Sequence, residues 1–178
     1  MTGDSRPAVV GLSCKIANMI SEISGTFVKI AFADQVDILL KRNSPDRPAA
    51  RYNREGQDAL YLSVDENTAH VAMRKYVADS DSPRVLIYYE VQPCQLVDLR
   101  HPDAEDLRKR ANQNWQLALD EGTEPTSWEV ADLLRKSNKT GLIDPSRSQL
   151  GSWDITLFRW NEPDAPRVAM VGQAADLK

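Results

Sequence analysis

Residues Arg51 to Met73 read R-Y-N-R-E-G-Q-D-A-L-Y-L-S-V-D-E-N-T-A-H-V-A-M, and the reading of the whole chain hangs on this stretch. It opens with a cation beside a ring, Arg51 and Tyr52, and turns at Gly56. The apolar run from Ala59 to Val64, with Tyr61 inside it, has the length and composition of a strand. Asp65 to Thr68 supply cap-type residues. A helix is therefore expected over Asp65 to Val77, with Ala69, Met73, Tyr76 and Val77 on its buried side. Arg51 and Tyr61 on such a loop–strand–helix unit can bracket an anionic ligand, the guanidinium gripping phosphate bidentately and the phenol adding a flat face with a polar tip. Spacing alone favours the blander alternative of an ordinary loop arginine and strand tyrosine.

Upstream, Val9, Leu12, Ile16, Met19, Ile20 and Ile23 recur at three- and four-residue steps, which predicts an amphipathic helix closed by Ser24-Gly25. Met1 to Arg6 reads as a frayed terminus. Thr26 to Phe32 is β-branched and aromatic, so a strand is expected, with Lys29 standing among apolar neighbours. Asp34 to Lys41 reads as a short helix, and the Pro- and Ser-rich segment Asn43 to Ala50 as a surface loop that delivers Arg51 to a loop end.

Downstream, Arg84 to Val91 and Gln95 to Leu99 read as strands split by Pro93, which cannot donate in a ladder. Asp103 to Leu119 begins with acids, turns basic at Arg108 to Arg110 and reads as one helix. Thr126-x-x-Glu129 is a capping-box pattern before the helical run Val130 to Lys136, which Thr140-Gly141 ends. Leu142-Ile143, Trp153 to Trp160 and Arg167 to Val171 complete the strands. The alternation of Ile155, Leu157 and Arg159 with Thr156, Phe158 and Trp160 predicts one side that is partly solvated or ligand-facing.

At 178 residues the chain is long enough for one domain with a real core and too short for two comfortable ones. A net charge of -4 disfavours a nucleic-acid surface, which normally carries a basic excess. No apolar run reaches the ~18 residues of a membrane span and Met1 to Pro7 lacks a signal-peptide core, so a cytoplasmic protein without a membrane partner is expected. Cys14, Cys94, His70 and His101 are scattered, which supports neither a disulfide framework nor a metal site. The expectation is a single α+β domain over residues 1–178, with a core of about 25–172, central mixed or antiparallel sheets and flanking helices.

The pattern R-[aromatic]-N-x-x-G-x-x-A-L-Y-L-S-x-[acidic]-x-x-T-A resembles the core of the RES domain, named for its Arg, Glu and Ser. Val91 to Ala104 (V-Q-P-C-Q-L-V-D-L-R-H-P-D-A) is similar to the family's middle strand and "DL" exit. Gly141 to Phe158 (G-L-I-D-P-S-R-S-Q-L-G-S-W-D-I-T-L-F) is similar to its C-terminal "PS" motif and following strand. The resemblance spans roughly residues 25 to 160 and implies a fold related to NAD-dependent ADP-ribosyltransferases.

It further implies NAD as substrate, with no metal, and a toxin neutralised by an Xre-type helix-turn-helix antitoxin. Arg51, Tyr61 and Ser146 would be the catalytic residues, and Lys29, Arg51, Tyr52, Tyr61 and Ser146 would bind NAD. Lys29, 22 residues before Arg51, would replace an arginine that usually faces the phosphates. Arg51, at its loop end, would matter for NAD binding and little for folding. The family Glu falls eleven residues after the motif Tyr, which is Ala72 here: either this branch does without that Glu, or another acid such as Glu66 or Glu90 takes its role, or Ala72 is an engineered Glu→Ala change. The activity implied first is mono-ADP-ribosylation of a nucleotide-metabolism protein such as phosphoribosyl pyrophosphate synthetase. NAD phosphorolysis or hydrolysis is the alternative, and a catalytically weakened NAD- or antitoxin-binding module is the second.

Overall fold

Side chains alternate faces along a strand, and this alternation sorts the molecule into a closed core and an open cavity. The computed structural model describes residues 15–74 and 82–177. Within them β1 (Ile20–Phe32), β2 (Leu60–Ser63), β3 (Arg84–Asp98), β4 (Gly141–Pro145), β5 (Trp153–Leu157) and β6 (Val168–Asp176) form one sheet. Its order is β1-β2-β5-β4-β3-β6, and β1 also pairs with β3, so five of the strands close on themselves. Every pairing is antiparallel except β3 with β4. The ring is weakest where β1 meets β2, through the single pair Val28 and Ser63.

One face of this ring is apolar throughout. Leu60, Leu62, Ile143, Ile155 and Leu157 pack there with Phe27, Ile87 and Trp160, all at most 3% exposed. Burying an aliphatic or aromatic side chain of this size stabilises by roughly 1.5–3 kcal/mol, so this face supplies much of the folding energy. On the other side lie α1 (Glu66–Met73), α2 (Glu105–Ala111), α3 (Trp115–Asp120) and α4 (Thr126–Lys136). Val130, Ala131 and Leu134 recur at helical spacing on α4 and are fully buried in a second cluster with Val97, Leu99 and Leu142. Ala69 of α1 packs in a third, on Val28, Ile30 and Leu86. The product is a single α+β domain. No helix among the described residues is long and apolar enough to cross a membrane.

Several local expectations are corrected. The helix expected over Val9–Ile23 gives way to β1 at Ile20, because Ile23 joins the sheet core and pairs with Cys94. Residues 1–14, including the expected frayed terminus and the start of that helix, lie outside the described residues, as do Tyr76 and Val77. Pro93 does not split β3. The register against β1 shifts there, from Ile23 opposite Cys94 to Gly25 opposite Val91, so Gln92 and Pro93 face Ser24 alone. Such a bulge tolerates a residue without an N–H, and Gly25 takes the left-handed φ of 113° that the bend requires. The Asp34–Lys41 helix is a 3-10 turn over Ala33–Ile38.

The expected helix Asp103–Leu119 breaks into α2 and α3, with Asn114 capping α3 by accepting from the Leu117 N–H at 3.2 Å. The capping box does not form. The Thr126 hydroxyl donates to Arg110 O (2.7 Å) and Gln113 Oε1 (2.9 Å), and Glu129 pairs with Arg110, so both residues tie α2 to α4. β5 stops at Leu157 rather than Trp160, whereas β6 runs on past Val171 to Asp176.

Candidate active site

The face of the sheet opposite the apolar core carries a polar row. Register places Ser63 of β2 opposite Asp154 of β5, and Asp154 opposite Asp144 of β4. Tyr61 and Thr156 form the next row. These residues line a cavity of about 530 Å³, within the roughly 300–1,000 Å³ range of small-molecule sites. Ala69, Ala72 and Met73 of α1 and the α2–α3 junction wall it, and Ser146 and Arg147 follow β4 at its edge.

The segment Ala50–Asn53 enters this cavity as a tight loop, Ala50 and Asn53 pairing through both backbone groups. Helix α4 holds it. Trp128 Nε1 donates to Ala50 O (2.8 Å), Ser127 Oγ to Arg51 O (2.5 Å) and Arg135 Nη1 to Tyr52 O (2.9 Å). The Tyr61 hydroxyl completes the grip, donating to Asn53 Oδ1 (2.8 Å) and accepting from the Tyr52 N–H (2.9 Å). Its ring therefore faces the cavity while its polar tip serves the loop, and burial pushes its ionisation up.

Arg51 projects from this loop with four of its five N–H groups engaged. Nε and Nη2 donate to Ala111 O at 3.1 and 2.8 Å, Nη2 also to Asn112 Oδ1 at 3.2 Å, and Nη1 to Asp144 Oδ2. The guanidinium also stacks on the Tyr52 ring, 5.1 Å from its centroid. Asp144 is 4% exposed, and burial lifts its carboxyl above the ordinary range while Arg51 opposes the shift. The Tyr52 hydroxyl is raised well above its normal range by burial first and by Asp144 second. Yet neither that hydroxyl nor Asp144 Oδ1, both buried, makes a hydrogen bond of ordinary geometry.

Lys29 lines the cavity where β1 and β2 part, on the strand face that carries Phe27 and Ala31 into the apolar core. Its ammonium donates to Tyr61 O at 3.3 Å, and burial, assisted by Arg47, pushes its pKa down to about 8. Ser146 Oγ accepts from the Gln149 N–H at 3.2 Å, bracing the turn after β4. Asp154 accepts from Ser63 Oγ at 2.6 Å, and burial raises its pKa to about 6.

The fold thus brings Lys29, Arg51, Tyr52, Tyr61 and Ser146 to one cavity. It does not bring Glu66 or Glu90 there. Glu66 accepts from the Tyr88 hydroxyl on the outer surface, and Glu90 from Thr26 Oγ1 at 3.0 Å. The acids present are Asp144 and Asp154, which sequence reading missed, together with Asn112, Asn114 and Trp115 of the helix break. The Asn-x-Asn spacing at 112–114 was the available signal for that break. Among the described residues, no group of three His, Cys, Asp or Glu side chains is placed to hold a metal ion.

The RES domain family model matches residues 31–178. The chain belongs to the RES domain family. Among solved structures, the M. tuberculosis MbcT–MbcA toxin–antitoxin complex is similar, with a TM-score of 0.63 and 16% identity over 94% of this chain and 92% of that one. At that identity the likeness is one of fold. No curated protein matches the sequence. In this RES domain Arg51 and Ser146 line the same cavity as Ala72, which is exposed on the cavity side of α1.

Proposed function

We propose that this RES domain is a toxin that binds NAD in the cavity and breaks the bond between nicotinamide and ribose, passing ADP-ribose to an acceptor. The observation that carries this reading is the pair of carboxylates, Asp144 and Asp154, on the cavity floor beside Arg51. Cleavage of that bond passes through a transition state with positive charge at the anomeric carbon, which a carboxylate stabilises. We take these acids to stand in for the family Glu absent at Ala72, which favours an enzyme over a binding module. Lys29 and the remaining N–H of Arg51 fit the pyrophosphate, and the rings of Tyr61 and Trp115 supply faces for the bases.

The MbcT–MbcA likeness supports an antitoxin as the partner; we further infer that it is of the Xre helix-turn-helix class and acts in the cytoplasm. An acidic side chain or C-terminal carboxylate of the antitoxin would meet the cations that receive the phosphates, so antitoxin and NAD compete. The acceptor carried forward is a protein of nucleotide metabolism, such as phosphoribosyl pyrophosphate synthetase. Incubation with labelled NAD, with and without phosphate and cell lysate, tests the cleavage and the acceptor. Label on one protein band indicates transfer, and free nicotinamide without labelled protein indicates degradation. No nicotinamide release under any condition refutes the proposal.

A further inference from the structure

We propose that Asp154 is the catalytic carboxylate of this cavity and that Ser63 is the residue that positions it. The inference rests on the NAD-cleaving reading above and adds the group that performs it. Three polar residues stand in one cross-strand row, Ser63, Asp154 and Asp144, on a face whose neighbours on the opposite side are all core. Asp144 is committed, since its Oδ2 accepts from Arg51 and its Oδ1 is sealed from solvent. Asp154 differs. Its Oδ1 accepts from Ser63 Oγ at 2.6 Å, and its Oδ2 makes no hydrogen bond among the described residues while the side chain lines the cavity. Of the two acids on the floor, it is therefore the one with an oxygen left for a ligand.

The Ser63 bond fixes which oxygen is left, because a carboxylate held at one oxygen presents the other in a set direction. The charged groups facing it are Asp144 across the β4–β5 ladder, Arg51 from the loop and Asp65 at the start of α1, with Lys29 and Arg147 elsewhere in the cavity wall. Burial is the largest influence on its titration, raising the pKa to about 6, so the carboxylate is ionised at neutral pH and lost under mild acid.

In the step it serves, the bond from the ribose anomeric carbon to the nicotinamide nitrogen breaks and nicotinamide leaves, neutral, with both electrons. The acceptor's lone pair forms the new bond to that carbon, and the acceptor's proton passes to solvent. Asp154 neither gains nor loses a bond. Its negative charge stabilises the cationic carbon between the two events.

The test is nicotinamide release from NAD across pH 4.5–8.5, with NAD affinity measured in parallel, for the wild type, Asp154→Asn and Ser63→Ala. The wild-type rate is expected to fall as pH drops through about 6, because the ionised form is the active one. Asp154→Asn should slow release about 10²–10³-fold, the scale of a removed transition-state electrostatic contact. NAD binding should be unchanged or tighter, since a negative charge has left a site for an anion, and the acid limb should vanish. Ser63→Ala should lower activity even at high pH, because the carboxylate is no longer held in one direction, and should shift the limb to higher pH, because the hydroxyl stabilises the ionised acid. A folded Asp154→Asn protein with wild-type turnover, or a limb that Ser63→Ala does not move, overturns the assignment and leaves NAD cleavage standing. If Asp154→Asn does not fold, the position of the Ser63→Ala limb decides alone. A wild type that neither binds nor cleaves NAD overturns the functional reading and this inference together.

Discussion

Removing Arg51 is expected to unfold much of what the site is built on, and the magnitude follows from its partners. Arg51 and Asp144 are both largely buried, with side chains 12% and 6% exposed. In Arg51→Ala the Asp144 carboxylate, only 4% exposed, loses its counter-charge and remains poorly hydrated. It either remains charged at high cost or takes up a proton. Protonating an aspartate of ordinary pKa about 3.9 at pH 7 costs about 4 kcal/mol, at 1.36 kcal/mol per unit, which caps the electrostatic loss. The Ala111 carbonyl, which receives two of the Arg51 N–H groups at the end of α2, also loses its donors. The total falls at about 3–5 kcal/mol, the usual result of breaking one side of a buried ion pair.

That cost has a signed pH dependence. In the variant the folded state holds a proton on Asp144 that the unfolded state releases, so stability falls as pH rises above about 4. The cap at pH 5 is only about 1.5 kcal/mol, and the deficit relative to wild type should shrink by more than half between pH 7 and pH 5. Urea unfolding at both pH values measures this, and Asp144→Asn is the control in which Arg51→Ala should cost far less. A loss below about 1 kcal/mol at pH 7, or an equal loss at both pH values, would refute the argument. The outcome also corrects the expectation that a loop-end arginine matters only to a ligand: this one closes the wall between α2 and β4.

Three further outcomes follow from the same geometry. Lys29, with its pKa pushed down to about 8, should lose its charge as pH rises from 7 to 9, so NAD affinity by calorimetry should fall over that window and Lys29→Met should abolish the dependence. Tyr61→Phe keeps the cavity ring but strips the Tyr52 N–H and Asn53 Oδ1 of their partner, and should cost about 1–3 kcal/mol in urea unfolding. Ala72→Glu should be tolerated within about 0.5 kcal/mol because Ala72 is exposed, and in the Asp154→Asn background it should restore part of the nicotinamide release; no gain in a folded double variant counts against a shared cavity role.

What could be read in the sequence was local. A-L-Y-L-S declares its strand by composition, and Asp65 is indeed the cap of the following helix, accepting from the Thr68 N–H at 2.7 Å. The two-residue period of Leu60 and Leu62 against Tyr61 and Ser63 already separates core from cavity, once the strand is granted. Where propensity met tertiary demand, it lost. Ile20 and Ile23 fit a helical stripe as well as a strand edge, and only pairing with β3 decides between them. Thr126 and Glu129 had the spacing of a capping box, but Arg110 and Gln113 of the neighbouring segment offered better partners than the helix's own end.

The acids show why a site can be hidden when its strands are not. Asp144 and Asp154 are ten residues apart in sequence, each in a short strand, and nothing local distinguishes them from surface carboxylates. Their meaning comes from two registers. β4 against β5 sets Asp144 beside Asp154, and β5 against β2 sets Asp154 beside Ser63, a residue 91 positions upstream. A slip of one residue in either ladder would turn an aspartate into the apolar core, where an unpaired charge costs far more than the pairing returns. Register and carboxylates therefore constrain each other: the core fixes which face the acids occupy, and the acids penalise every pairing but this one. The acids nearest the motif in sequence, Glu66 on α1 and Glu90 on β3, lie away from the cavity. The fold instead places carboxylates on the cavity floor, on strands that approach Ala72 only once the sheet has closed.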